Sequence, residues 1–143
     1  MKKSNPVVHF EMGYNDRERM KNFYSTVFGW QLKQYGPEMG NYVVAQTAQT
    51  DENGMVKTPG TINGGFYQKT DEQLSKAPSI VIAVEDINAT IKDVQAAGGK
   101  ILGAMAPDGG RSMEPQEIPG VGLWISAMDT EENRFSILQP KAQ

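Results

Sequence analysis

The chain has 143 residues, 38% hydrophobic and 22% charged, the profile of a globular domain long enough to bury a core without covalent staples. It contains no cysteine, which excludes disulfides, thiolate metal ligands and a thiol nucleophile. Its formal charge is −3, and Lys2-Lys3 with Arg17, Arg19 and Lys21 are too scattered to track a phosphate backbone, so nucleic acid is not an expected partner. No apolar run approaches the ~20 residues that span a bilayer, so no membrane partner is expected. Pro6 and His9 break up the opening MKKSNPVVHF as a secretory core, and a cytoplasmic protein is expected.

In chain order, VVHFEM (7–12) reads as a strand, rich in β-branched and aromatic residues. A helix follows from Asn15, which with Glu18 three residues on makes a capping-box-like start. Met20, Phe23, Tyr24, Val27 and Phe28 form its apolar stripe, and Gly29 ends it before the extended Trp30-Gln31-Leu32. NYVVAQT (41–47) and GTINGGFYQ (60–68) supply strands on either side of a turn signal at Asn53-Gly54. TDEQLSKAP (70–78) is polar and proline-terminated and reads as a linker.

The plan then repeats. SIVIAV (79–84) is a strand, and Asp86 can cap a helix whose Ile87, Ile91, Val94 and Ala97 share a face. Gly98-Gly99 stops that helix, Lys100-Ile101-Leu102 leads away, and VGLWISAM (121–128) and NRFSILQP (133–140) flank the polar turn Asp129–Glu132. The expected organisation is a first module over 1–69, a linker over 70–78 and a second module over 79–143, together one structural domain. The longest irregular stretch is 103–120, with Met105, Met113 and Arg111, an adaptable loop able either to close over a site or to lie free on the surface.

Strand alternation sorts the side chains onto two faces. Val8, Phe10, Met12, Ile80, Ile82, Val84, Leu123, Ile125, Phe135 and Ile137 are expected to face the helices. His9, Glu11, Ser79, Trp124, Ser126 and Ser136 fall on the other face, a mixed surface suited to a small-molecule cleft.

The phrases HFEMGYNDRERMKNFYSTVFGWQL, VEDINATIKDVQAAGGKIL and EIPGVGLWISAMDTEENRFSIL resemble the vicinal-oxygen-chelate superfamily of glyoxalase, bleomycin-resistance and dioxygenase type, over nearly the whole chain. The resemblance implies an α+β fold of two βαβββ modules, with mixed curled sheets around a cleft, helices outside and frequent homodimers. It also implies a divalent metal held from the first and last strands of each module. His9 matches one such position, whereas Gly64-Gly65, Ser79 and Ser136 stand at the other three. Serine and glycine are poor ligands for an ion that prefers carboxylate or imidazole.

The expected function is therefore binding of a small molecule in the sheet cleft through His9, Glu11, Ser79, Trp124, Ser126 and Ser136, without the complete metal site and with no cofactor. The alternative is a divalent-metal-dependent lyase, isomerase or dioxygenase with displaced ligands, drawing on His9, Glu11 and Gln46 or Gln139. A His9–Glu11 acid/base pair without metal, and an interaction protein whose product is its dimer surface, complete the range. No residue is assigned a catalytic role from sequence.

Overall fold

The computed structural model describes residues 3–142; Met1, Lys2 and Gln143, and with them the Lys2 charge considered above, lie outside the described residues. It contains two α-helices and ten strands among those residues, an α+β protein in which the βαβββ plan occurs twice. The first occurrence runs β1 (Val7–Tyr14), α1 (Arg17–Phe28), β2 (Gln31–Gln34), β3 (Val43–Gln46) and β4 (Asn63–Gln68). The second runs β5 (Ser79–Ala83), α2 (Ile87–Ala96), β6 (Lys100–Met105), β7 (Arg111–Ser112), β8 (Gln116–Ile118), β9 (Gly122–Met128) and β10 (Arg134–Pro140). Two compact units correspond to this division, one over His9–Pro78 and the other from Ser79 onward together with the segment ahead of His9.

Both units use one pairing scheme. In the first, β1 runs parallel to β4, and β3 lies antiparallel between β4 and β2. In the second, β5 runs parallel to β10, and β9 lies antiparallel between β10 and β6. A first strand beside the last strand, both parallel, requires a crossover, which the helix and middle strands supply. The eight strands expected become ten because 103–120 is not irregular: β7 pairs with β6 and β8 with β9. Ala106 and Gly110 close the intervening turn, where the Ala106 N–H donates to the Gly110 carbonyl at 2.6 Å.

Each helix starts on an aspartate. Asp16 Oδ1 accepts from the Arg19 N–H at 3.0 Å, and Asp86 Oδ1 from the Ala89 N–H at 3.0 Å. The first cap is thus Asp16 rather than Asn15, because the carboxylate one residue later reaches the third helical N–H. The Asn53-Gly54 signal makes a tight turn on Asp51, whose Oδ1 accepts from Asn53 and Met55, within a longer β3–β4 connection; only a Thr50–Val56 bridge pairs there. The stretch read as a linker carries a 3-10 turn at Gln73–Lys76.

Packing follows the alternation of side chains. Beneath α1, Tyr14, Val43, Ala45 and Phe66 are buried, with Phe10, Met12, Met20, Tyr24, Trp30 and Leu32 packed against them. Beneath α2, Val84, Ile87, Ile101, Ile125 and Ile137 are buried, with Ile82, Ile91, Val94, Leu123 and Phe135 around them. Ile80 shares the face of Ile82 by alternation but is 42% exposed, since the core takes in Ile82 and Val84 and stops short of it.

Candidate functional site

In the first unit Phe10 and Met12 point to the helix side, so the alternate residues His9 and Glu11 lie on the opposite sheet face. The parallel register sets His9 beside Asn63 and Glu11 beside Gly65. Val44 of β3 lies opposite Gly65, and two residues earlier Tyr42 joins the same face. The Tyr42 ring crosses β4 directly over Gly65, where an added Cβ would run into the phenol ring. On the reverse face, Gly64 accommodates the Phe10 ring in the same way. The two glycines let one aromatic ring lie flat on each side of the strand.

Tyr42 connects the two residues that sequence reasoning had selected. His9 Nε2 is 3.3 Å from Tyr42 Oη, and Tyr42 Oη is 3.5 Å from Glu11 Oε2. The hydroxyl has a single proton, so when Tyr42 donates to the carboxylate, its oxygen is left to accept from the His9 Nε2–H. Both contacts exceed the 2.7–3.0 Å of well-formed hydrogen bonds and are correspondingly weak. Burial and then the neighbouring Glu11 carboxylate push the Tyr42 phenol far above its ordinary pKa, keeping it protonated and a donor. Burial lowers the His9 pKa, which favours the neutral imidazole. Glu11 is only 8% exposed. The face therefore offers a buried carboxylate, a phenol O–H and a neutral imidazole within reach of a single small polar group.

In the second unit Ser79, Val81, Ser126 and Ser136 are buried on the face opposite α2, with Ser136 directly across from Ser126 and beside Val81. Arg134 lies on this face two residues before Ser136, and its Nη2 is 3.4 Å from Ser79 Oγ. Trp124 is half-buried and packs against the core beneath α2. Gln139, considered above as a displaced ligand, accepts the Ile87 N–H through Oε1 at 2.9 Å and so helps to start α2.

The residues present do not fit a divalent ion. His9 is the chain's single histidine, and its Nε2 faces the Tyr42 hydroxyl. The β4 position is glycine covered by an aromatic ring, and the first and last strands of the second unit present Ser79 and Ser136. Among the described residues no three His, Asp or Glu side chains gather into a group able to hold a metal.

Two residues of this region were not singled out from sequence. Tyr42 was visible only as part of a strand, although the Gly64-Gly65 pair inside β4 is a signal that a ring or backbone lies close. Arg134 was recoverable by alternation from Ser136.

Comparison with known proteins agrees with this architecture. Residues 7–125 match the model of the Glyoxalase/Bleomycin resistance protein/Dioxygenase superfamily. A glyoxylase-like domain-containing protein of Didymella fabae is 34% identical over 94 residues, covering 64% of this chain and 67% of that protein. Among solved structures, a hypothetical protein of Bacillus halodurans C-125 superposes with a TM-score of 0.64 at 15% identity, over 99% of this chain and 98% of that one. A Streptomyces coelicolor methylmalonyl-CoA epimerase variant, in complex with 2-nitronate-propionyl-CoA, gives 0.64 at 15% identity over 95% and 97% of the two chains. At such identities the likeness is one of fold.

Proposed function

Because the chain belongs to the Glyoxalase/Bleomycin resistance protein/Dioxygenase superfamily, we propose that it uses the polar sheet face of that scaffold to bind a small molecule, without the complete divalent-metal site. The observation that carries this reading is the Tyr42 ring lying over Gly65, with its hydroxyl between His9 and Glu11. A family ligand position is filled by an aromatic side chain, and the one histidine is turned toward a phenol. His9, Tyr42 and Glu11 would bind a ligand that both donates and accepts hydrogen bonds, the contacts tightening when a third polar group joins them. Ser79, Ser126 and Ser136 make the corresponding polar face of the second unit and belong to the same reading as ligand-contacting positions there. Methylmalonyl-CoA epimerases in complex with acyl-CoA compounds are examples of small-molecule binding on this fold. The reading includes a homodimer in the cytoplasm; no helix among the described residues is long and apolar enough to cross a membrane.

Elemental analysis of protein purified without chelator or a metal-bearing tag, repeated on His9→Ala, tests the metal-free part. Substoichiometric divalent metal in both forms is expected, whereas a near-stoichiometric ion lost with His9 would overturn the reading. A thermal-shift screen of small polar compounds then tests binding. A true ligand stabilises the wild type in proportion to its saturation and loses most of that effect in Tyr42→Phe.

A further inference from the structure

The first unit carries a second concavity, on the helix side of its sheet. It is a groove of about 470 Å³ between the early turns of α1 and the ends of β1 and β4. Its size lies within the range of small-molecule sites. Met12, Met20, Tyr24 and Phe66 form an apolar floor of two thioethers and two rings. Phe23, 53% exposed, extends that floor toward the open side.

Three cationic residues line the same groove: Arg19, Lys69 and Lys76. Asp16 is the single carboxylate in the lining, and its Oδ1 is already used to cap α1. The groove is thus locally cationic in a chain whose net charge is −3. The lysines are held in place by the local structure. Gly13 has no Cβ, and the Lys69 stem lies across it with Cε about 3.1 Å from where that atom would be. Lys76 ends a turn pinned by the buried Ser75, whose Oγ accepts from the Thr70 N–H at 3.1 Å and donates to the Glu72 carbonyl at 2.7 Å. Tyr67 Oη donates to the Ser75 carbonyl at 2.8 Å and ties that turn to β4. The hydrogen-bonded turn in 70–78 therefore fixes the backbone from which Lys76 extends, and Lys69 directly precedes that stretch.

We propose that this groove binds an amphipathic organic anion, with a single negative headgroup among Arg19, Lys69 and Lys76 and an unbranched apolar tail over Met12, Met20, Tyr24 and Phe66. Charge selects the headgroup, and thioethers adapt to a flexible tail. The groove lies on the sheet face opposite His9, Tyr42 and Glu11, so its occupancy is independent of that site.

Decanoate, decan-1-ol and decylammonium share one tail and differ in headgroup charge. With methionine methyls labelled for NMR, decanoate is expected to shift the Met12 and Met20 signals saturably and to leave Met105 and Met113 unmoved. Decan-1-ol should bind at least about tenfold more weakly, and decylammonium weaker still, as loss of a charge-assisted contact dictates. Lys69→Glu with Lys76→Glu should weaken decanoate by about the same factor, and Arg19→Gln alone by less, with melting temperatures unchanged. Tyr42→Phe should have no effect. The proposal is overturned if decan-1-ol matches decanoate, if the lysine substitutions leave its affinity intact, or if no saturation appears at millimolar decanoate. It is equally overturned if decanoate affinity falls as protein concentration rises, which would mean that a second copy occupies the groove.

Discussion

The two units repeat one pairing scheme but pack their helices differently. α2 sits on an aliphatic core, with Ile87 at its first turn fully buried and Ile91 and Val94 packed behind it over Ile125 and Ile137. α1 has no buried residue, and Phe23, Val27 and Phe28 are each more than half exposed. Its seat is an aromatic layer in which Tyr24 stacks on Trp30 at 4.7 Å and 11° and meets Phe66 at 5.1 Å. Aliphatic side chains interdigitate without a preferred orientation, whereas rings favour particular tilted or offset arrangements. The groove lined by Met12, Met20 and Phe66 borders that layer. One architecture thus carries a well-buried helix in one unit and, in the other, a helix bordered by an open groove.

The largest expected effect separates the two helices energetically. Ile125→Ala should cost about 2–5 kcal/mol, the loss of a fully buried branched side chain plus its cavity, measured by urea denaturation. Phe28→Ser should cost about 1 kcal/mol, since the ring is 59% exposed and its packing is confined to contacts with Phe23, Tyr24 and Trp30. Comparable losses at both positions would break the contrast.

A smaller effect is expected where the candidate site meets the sheet. Gly65→Ala should cost about 1–3 kcal/mol as the Tyr42 ring is driven off the strand. The same substitution in a Tyr42→Ala background should cost much less, so a double-mutant cycle reads the coupling. Additive costs would show that the ring does not need that glycine.

The smallest effect is in pH dependence. Burial holds the His9 pKa below its unfolded value near 6.5. The unfolded chain therefore takes up the proton first as pH falls. The His9 contribution is fully present above about pH 6.5 and is lost as pH drops through that value toward the lowered folded one. His9→Gln should lose less stability than wild type between pH 7 and pH 5, and parallel profiles would mean that the imidazole is not desolvated.

Much of the fold was legible from periodicity. The stripe Met20, Phe23, Tyr24, Val27, Phe28 announces a helix, and alternation correctly placed Phe10, Met12, Ile125 and Ile137 toward the helices. The same stripe did not reveal that Phe23, Val27 and Phe28 stay exposed, because the 3.6-residue period reports a face and not what covers it. Strands β7 and β8 were missed because two- and three-residue segments carry no period; they exist through pairing with β6 and β9. Trp124, set on the polar face by alternation, was found packed against the core beneath α2, a contact that parity does not foresee for so large a ring.

Composition, capping residues and hydrophobic period are local properties, and from them came the repeat, the helix positions and the strand faces, while the depleted ligand set around His9 came from the resemblance to the family. The meeting of Tyr42 with His9 and Glu11 joins residues 31 and 33 positions apart, and it depends on the register that puts Gly65 beneath the ring. The groove that gathers Arg19, Lys69 and Lys76 likewise depends on a helix, a strand end and a pinned turn coming together. Such contacts are long-range and arise only when strands pair in register, so tertiary structure alone decided both sites.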